Sequence, residues 1–164
     1  MLIALDSGPL GDLINPNNIP EAIAVRRWMA QHLLNGDDFL LAEINDYEIR
    51  RSEILGVLIK RPDIGPAQGE AAIHLLDQLK STIIYSTLST RAMLKAAELW
   101  ADQRKGHGKG HASRSDKLDG DVILTAQCLI ESESRGPIII ATMNLKDFLF
   151  TPTPHVTADE WNNI

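Results

Sequence analysis

The sequence has one cysteine, Cys128, few aromatic residues (5%) and no long apolar run. A single cysteine excludes an intramolecular disulfide and a cysteine-rich metal cluster, and it fits a reducing compartment. The opening segment MLIAL meets Asp6 at once, without a basic stretch or a cleavage site, and no apolar run has the length of a bilayer-spanning helix. We therefore expect a cytoplasmic protein with neither a signal peptide nor a membrane anchor.

Basic charge is also scarce. The 16 Lys and Arg residues are outnumbered by 22 Asp and Glu residues, which gives a net charge of −6. Nucleic-acid-binding proteins usually carry a basic face, so the total charge argues against such a partner. What remains is an ordinary globular composition, 44% hydrophobic and 23% charged over 164 residues, which predicts one domain over residues 1–164.

Short apolar runs alternate with segments of helical spacing. Strands bounded by turn residues and helices with stop signals are predicted from this alternation. The strands are expected at 2–5, 39–44, 82–86 and 137–142, and the helices at about 20–34, 45–60, 66–80, 89–104 and 119–133. Strands that read as continuous apolar runs between helices imply a parallel sheet covered on both faces. The expected class is α/β, a three-layer α/β/α sandwich.

Acidic and amide side chains follow several of these strands. Asp6 directly follows the first strand, and Asn144 and Asp147 follow the fourth, just after Thr142. Glu48 and Asp121 fall in the first turns of two predicted helices. Because the carboxyl ends of parallel strands meet at one edge of the sheet, these groups are expected to converge there. Oxygen-only ligands suit Mg²⁺ or Mn²⁺.

Each acid at a helix start also has a local interpretation. Glu48 lies three residues after Asn45, the spacing of a capping box, and a carboxylate near Asp119 or Asp121 is favoured by helix capping and by the helix dipole. Asp119 and Asp121 point about 200° apart on a helix, so we assign Asp119 to the cap and Asp121 to the site. Asp6 has no such local explanation, which favours a functional role.

Four segments in this order resemble the acidic motifs of PIN domains, especially those of VapC-type toxin ribonucleases. The segments are LIALDSG, INDYEIRRS, LDGDVILTAQC and IIIATMNLKDF. The resemblance covers nearly the whole chain and implies a Rossmann-like sandwich with five parallel strands in the order 3-2-1-4-5. It implies a metal-dependent endoribonuclease that hydrolyses RNA phosphodiester bonds, the toxin of a type II toxin–antitoxin pair. A small antitoxin protein and a homodimer are the implied protein partners.

Carried over by position, Asp6, Glu48 and Asp121 match the first three family acids and would hold Mg²⁺ or Mn²⁺, directly or through water. Asn144 occupies the fourth catalytic position; an amide can coordinate a cation or orient a water but brings no charge. Secondary candidates for the site are Asp147, Asp119, Thr142 and Ser7. Glu43 competes with Glu48, but it falls within the predicted second strand.

The segment from Arg104 to Lys117 contains no large apolar residue and carries a net charge of +4. It predicts an exposed loop beside Asp121, and Lys109 and Arg114 are its best candidates for binding RNA phosphates. The alternatives are a solvated linker and, less favoured, metal capture by two loop histidines, His107 and His111.

A second function remains open at this stage. Because Asn144 brings no charge, the same scaffold could serve as a non-catalytic RNA-binding or regulatory domain. A phosphotransfer domain is disfavoured, since no second aspartate follows Asp6 at the required spacing and only the lone Asp6 follows the first strand. The histidines His32 and His74 fall on helices and are expected to be structural.

Overall fold

A computed structural model describes residues 1–58, 66–105, 115–148 and 153–164. Five strands alternate with six α-helices in the described part. The strands are β1 (Leu2–Leu5), β2 (Asp38–Ala42), β3 (Ile84–Ser86), β4 (Ile138–Thr142) and β5 (Val156–Glu160). The helices are α1 (Ser7–Leu13), α2 (Pro20–Leu34), α3 (Glu43–Leu58), α4 (Pro66–Lys80), α5 (Thr90–Lys105) and α6 (Ser115–Arg135), and a 3-10 turn spans Leu145–Phe148.

All five strands are parallel and lie in the order β3-β2-β1-β4-β5. This confirms the predicted topology, including the fifth strand that only the family resemblance implied. The register places the last residue of β1, Leu5, beside Ala141 of β4, so Asp6 and Thr142 emerge next to each other at the carboxyl edge. The backbone N–H of Asp6 extends this pairing by donating to the Ala141 carbonyl at 3.0 Å.

Two apolar clusters cover the two faces of the sheet. Ile3 and Leu5 face one cluster while Leu2 and Ala4 face the other, as the two-residue period of a strand requires. Side chains of α1 to α4 complete the first cluster, among them Leu10, Met29, Ile49 and Leu76. Side chains of α6 complete the second, including Leu124 and the fully buried Cys128. The three-layer sandwich is therefore confirmed.

Helix α5 packs against helix α6. Its buried Ala96 belongs to a third apolar cluster with Val122 and Ala126 of α6. Across the part of the chain that the structure describes, none of the helices combines the length and the apolarity that a membrane span requires.

Several predicted boundaries are wrong. The glycines and prolines after Asp6 predict a turn-rich loop, but helix α1 begins at Ser7. Asp6 caps this helix, and Pro9 is tolerated in its first turn because backbone N–H groups there have no intrahelical acceptor. Helix α3 begins at Glu43, so two residues predicted as strand are helical. Helix α6 begins at Ser115, four residues earlier than predicted. The middle of the predicted basic loop, including Lys109, Arg114, His107 and His111, lies outside the described residues.

A candidate metal centre at the carboxyl edge of the sheet

Asp6 is held between two neighbouring segments. Its Oδ1 accepts a hydrogen bond from the Ser7 backbone N–H at 2.6 Å, the bond that caps α1. Its Oδ2 accepts from the Thr142 hydroxyl at 2.7 Å. Burial raises the pKa of the Asp6 carboxyl, as do the nearby charges of Glu48 and Asp147, against the opposing effect of these two hydrogen bonds. The carboxylate is thus fixed in orientation and lies in an acidic environment.

Glu48 reaches Asp6 from helix α3 through Ser7. The Ser7 hydroxyl donates to Glu48 Oε2 at 2.5 Å. Asn45, one helical turn earlier, donates its side-chain N–H to Ser7 Oγ at 3.0 Å and lies 3.5 Å from Asp6 Oδ1. Since α3 begins at Glu43, Glu48 lies in its second turn, and the predicted capping box of Asn45 and Glu48 is wrong.

Helix α6 approaches the same carboxylate at a glycine. A Cβ atom on Gly120 would lie 2.3 Å from Glu48 Oε1 and 3.0 Å from its Cδ, so no side chain fits there while Glu48 keeps its position. The next residue of α6, Asp121, is half-buried and close enough to this cluster for the charges of Asp6, Asp147 and Glu48 to act on it. Burial, together with the charges of Asp6, Asp147 and Glu48, raises the pKa of Asp121 to about 8.

Residues after β4 close the edge. Thr142 is fully buried, and its hydroxyl accepts a hydrogen bond from the Asn144 backbone N–H at 3.0 Å while donating to Asp6. The Asn144 side chain is exposed and donates to Asp147 Oδ2 at 2.5 Å. Asn144 thus places an amide at this edge, bonded to the carboxylate of Asp147.

The remaining predicted candidates lie elsewhere. Asp119 is exposed and falls within α6, so the predicted capping role is wrong. Glu43 accepts a hydrogen bond from the Leu88 N–H at 2.5 Å, which secures the segment after β3 and removes Glu43 as a competitor for Glu48. His32 packs against Trp28, with 5.2 Å between ring centroids, and its Nδ1 lies 2.8 Å from Asp37 Oδ2.

A separate charged cluster joins α3, α4 and β3. The buried Asp46 accepts hydrogen bonds from Arg50 Nε at 2.5 Å and from Lys80 Nζ and the Tyr85 hydroxyl, both at 3.0 Å. Burial raises the pKa of Asp46, but the three hydrogen bonds outweigh it and the net effect lowers the pKa. Asp46 thus has two cationic partners, Arg50 and Lys80, whereas among the described residues only Arg51 forms an ion pair with an acid of the sheet edge.

The electrostatics of the sheet edge suit a divalent cation. Arg51 Nη2 lies 3.7 Å from Glu48 Oε1, but its side chain is 59% exposed, so this ion pair is screened and weak. The side-chain carbonyl Oδ1 of Asn45 is buried and has no hydrogen-bond partner within the described residues. A cluster of carboxylates with an unsatisfied oxygen beside it has the chemistry of a hard-cation site.

The carboxylates do not form a ready-made cage. Within the described residues, no group of three His, Cys, Asp or Glu side chains is arranged so that it could hold a metal ion. Mg²⁺ usually keeps several waters and binds proteins through one or two carboxylates, so it does not require such a cage. The arrangement fits one or two direct carboxylate ligands, with the others acting through water.

The described elements define an α/β/α sandwich with the strand order β3-β2-β1-β4-β5, and solved structures share this fold. A chain of DNA-bound VapBC from Salmonella typhimurium superposes with a TM-score of 0.61 at 20% identity, covering 98% of this chain and 99% of that one. VapBC-1 from nontypeable Haemophilus influenzae gives 0.60 at 18% identity, with 99% of both chains covered. FitAB bound to a DNA fragment gives 0.63 at 18%, with 97% and 94% covered.

No protein-family model and no curated protein matches the chain. At these identities the structural likeness establishes the fold, which confirms the expected resemblance at that level. The functional argument therefore rests on the chain's own residues.

Proposed function

We propose that this protein is a Mg²⁺-dependent endoribonuclease, with Asp6, Glu48 and Asp121 holding the cation, one or two of them directly and the others through water. The observation that carries the proposal is the convergence of these three acids, from β1, α3 and α6, at one edge of the sheet. Mn²⁺ satisfies the same oxygen ligands. When bound, such an ion supplies a water of lowered pKa and offsets negative charge on a phosphate.

The chain's own residues have distinct tasks in this reaction. Thr142 and the Ser7 N–H fix both oxygens of Asp6, so that this carboxylate presents one orientation. Ser7 holds Glu48, and burial together with the charges of Asp6, Asp147 and Glu48 raises the pKa of Asp121 to about 8, so a bound cation would favour its ionised form. None of these groups is paired with a histidine in the contacts described above, so hydrolysis by an oriented water fits better than a covalent protein–RNA intermediate.

RNA binding would require positive charge next to this acidic edge. The net charge of +4 between Arg104 and Lys117 lies in the stretch that precedes and begins α6, which also carries Asp121. We assign phosphate binding to Lys109 and Arg114 on this basis, because backbone contacts of Lys and Arg supply sequence-independent affinity.

The biological role we propose is that of a toxin controlled by a small antitoxin. Its support is the fold shared with chains of VapBC and FitAB over nearly the full length. We further propose that the protein forms a homodimer. Light scattering should then give twice the chain mass of 18.1 kDa. Expression of the wild type should arrest growth, Asp6→Asn should not, and the product of an adjacent small gene should restore growth.

Cleavage of labelled RNA tests the enzymatic proposal. A single-stranded RNA and an RNA hairpin are incubated with wild type, Asp6→Asn and Asp121→Asn in Mg²⁺, Mn²⁺ or EDTA. Asp77→Asn, an exposed carboxylate on α4, serves as the matched control. We expect cleavage by wild type and the control only with a divalent cation, and loss in both site variants.

The contrary outcomes are equally clear. If neither metal supports cleavage, or if Asp6→Asn keeps full activity, the nuclease proposal is wrong. RNA binding that persists in wild type and in Asp6→Asn without any cleavage would instead support the RNA-binding alternative, which the uncharged Asn144 favours.

A further inference from the structure

Asn45 connects Asp6, which follows β1, with Glu48 on α3. It is 1% exposed and sits one helical turn before Glu48, so the two side chains leave α3 on the same side. Its side-chain amide donates to Ser7 Oγ at 3.0 Å, and Ser7 Oγ donates to Glu48 Oε2 at 2.5 Å. Nothing in the sequence pattern singled out Asn45 beyond its helix-capping spacing.

The direction of these hydrogen bonds is fixed by chemistry. A serine hydroxyl has one proton, and the carboxylate of Glu48 can only accept when ionised. The Ser7 hydroxyl therefore donates its proton to the hydrogen bond with Glu48, and Ser7 Oγ must accept a hydrogen bond from its other neighbour, Asn45. Asn45 supplies that donor through Nδ2, which also faces the acceptor-only Asp6 Oδ1 at 3.5 Å.

Helix stability does not explain Asn45. The residue lies in the first turn of α3, but its Oδ1 accepts no backbone N–H there, and its Nδ2 donates instead to Ser7 at the β1–α1 junction. It also leaves Oδ1 buried and unpaired, and such an acceptor typically costs about 1–3 kcal/mol. A buried amide that leaves an acceptor unpaired at a cluster of acids is better explained by the acids it orients.

We propose that Asn45 is a positioning residue, which directs the single Ser7 proton to Glu48 and so holds the Glu48 carboxylate toward Asp6. This inference rests on the proposed metal-dependent nuclease function. The hydrogen-bonded chain Asn45–Ser7–Glu48 then acts as a unit. Removal of the Asn45 or the Ser7 side chain should release the Glu48 carboxylate to the same extent.

The test is a double-mutant cycle with Asn45→Ala, Ser7→Ala and the double variant. The readouts are Mn²⁺ affinity by titration calorimetry, kcat and KM for labelled RNA, and the melting temperature. Loss of a residue that orients a metal ligand typically weakens metal binding about ten- to a hundred-fold. We expect this loss in both single variants, with lower kcat, nearly unchanged KM, and a double variant no worse than the weaker single one.

Asp46→Asn is the matched control, because Asp46 is the next residue of α3 and is also buried, but its partners are Lys80, Arg50 and Tyr85. It should lower the melting temperature and leave Mn²⁺ affinity unchanged, which separates destabilisation from positioning. If Asn45→Ala does not fold, Ser7→Ala tests the same chain from α1.

The outcomes separate this inference from the proposed function. Failure of the wild type to bind Mn²⁺ or cut RNA contradicts the proposed function and with it the inference. If the wild type binds Mn²⁺ and Asp6→Asn does not, but Ser7→Ala or Asn45→Ala keeps wild-type Mn²⁺ affinity and kcat, the inference alone is wrong. Additive losses in the double variant would contradict a single acting unit.

Discussion

Gly120→Ala should separate stability from catalysis. Gly120 lies inside α6, where glycine is unfavourable, and its Cα faces the Glu48 carboxylate. A methyl group there would lie 2.3 Å from Glu48 Oε1, much closer than van der Waals contact. The clash is with the far end of a flexible side chain, so the helix can stay in place while Glu48 rotates away from Ser7.

The two effects on stability nearly cancel. Alanine is favoured over glycine in a helix interior by about 1 kcal/mol. Loss of the Ser7–Glu48 hydrogen bond opposes this gain by only about 1 kcal/mol, because water solvates the released carboxylate in its place. We expect a melting temperature within about 3 °C of the wild type. Displacement of a catalytic group by about 1 Å can cost about a hundred-fold in rate, so we expect RNA cleavage to fall by ten- to a hundred-fold.

The assay compares Gly120→Ala with Gly136→Ala by thermal unfolding and by cleavage of labelled RNA. Gly136 follows α6 with a φ of 84°, and an added Cβ would contact nothing within 4 Å. Alanine there strains the backbone, so it should lower stability by about 1 kcal/mol and leave the cleavage rate unchanged. A Gly120→Ala protein that cuts RNA at the wild-type rate would refute the assignment of Glu48 to the site.

Three further predictions concern the acids themselves. Because the pKa of Asp121 is raised in the folded state, its ionisation destabilises the metal-free protein as the pH rises from about 4 to 8. In urea unfolding with EDTA, the stability of Asp121→Asn relative to wild type should therefore increase across that range. A stability difference that does not change with pH would contradict this. For the same reason, the affinity of the wild type for Mg²⁺ should increase between pH 6 and pH 8, with release of a proton on binding, as measured by calorimetry. An affinity that falls as the pH rises would contradict this expectation. Asp46 has a lowered pKa, so the stability that its carboxylate contributes is present above its ordinary pKa and is lost as the pH falls through the folded value. Asp46→Asn should reduce the free energy of unfolding by about 2–4 kcal/mol at pH 7, and this difference from wild type should close in acid. An equal difference at pH 7 and in strong acid would contradict the ion-pair account.

The layer order of the fold was readable from the sequence. Apolar runs such as IIIAT predict strands buried on both faces, and helical spacing between them predicts a parallel sheet with two helical layers. The fifth strand was not readable from its residues, because VTADE carries two acids and one of its faces is partly exposed. Only its pairing with the apolar Ile138–Thr142 makes it a strand.

Helix starts were less predictable. Glu43 and Ile44 continue the apolar run of β2, and a run of this kind does not show where the strand becomes a helix. Helix α1 begins with Ser-Gly-Pro, residues that usually mark turns, and it forms because Asp6 caps it. The acid that we propose as a metal ligand, Asp6, is thus also the signal that could have predicted this helix.

The acids of the candidate site were identifiable, and the groups that orient them were not. Asp6, Glu48 and Asp121 stand out as charged residues at the ends of elements, and the sheet topology brings them together. Asn45 and Gly120 act through contacts between segments far apart in the chain, so no local spacing shows them.

The most direct test of the central claim is anomalous diffraction from crystals of the protein soaked in Mn²⁺. The acids at the carboxyl edge are expected to bind one shared ion, with a Mn²⁺ peak within coordination distance of Asp6 or Asp121 and the remaining acids reaching it directly or through water. The peak should disappear in Asp6→Asn. Crystals that diffract well but show no Mn²⁺ at this edge, or a peak that persists unchanged in Asp6→Asn, would contradict the account.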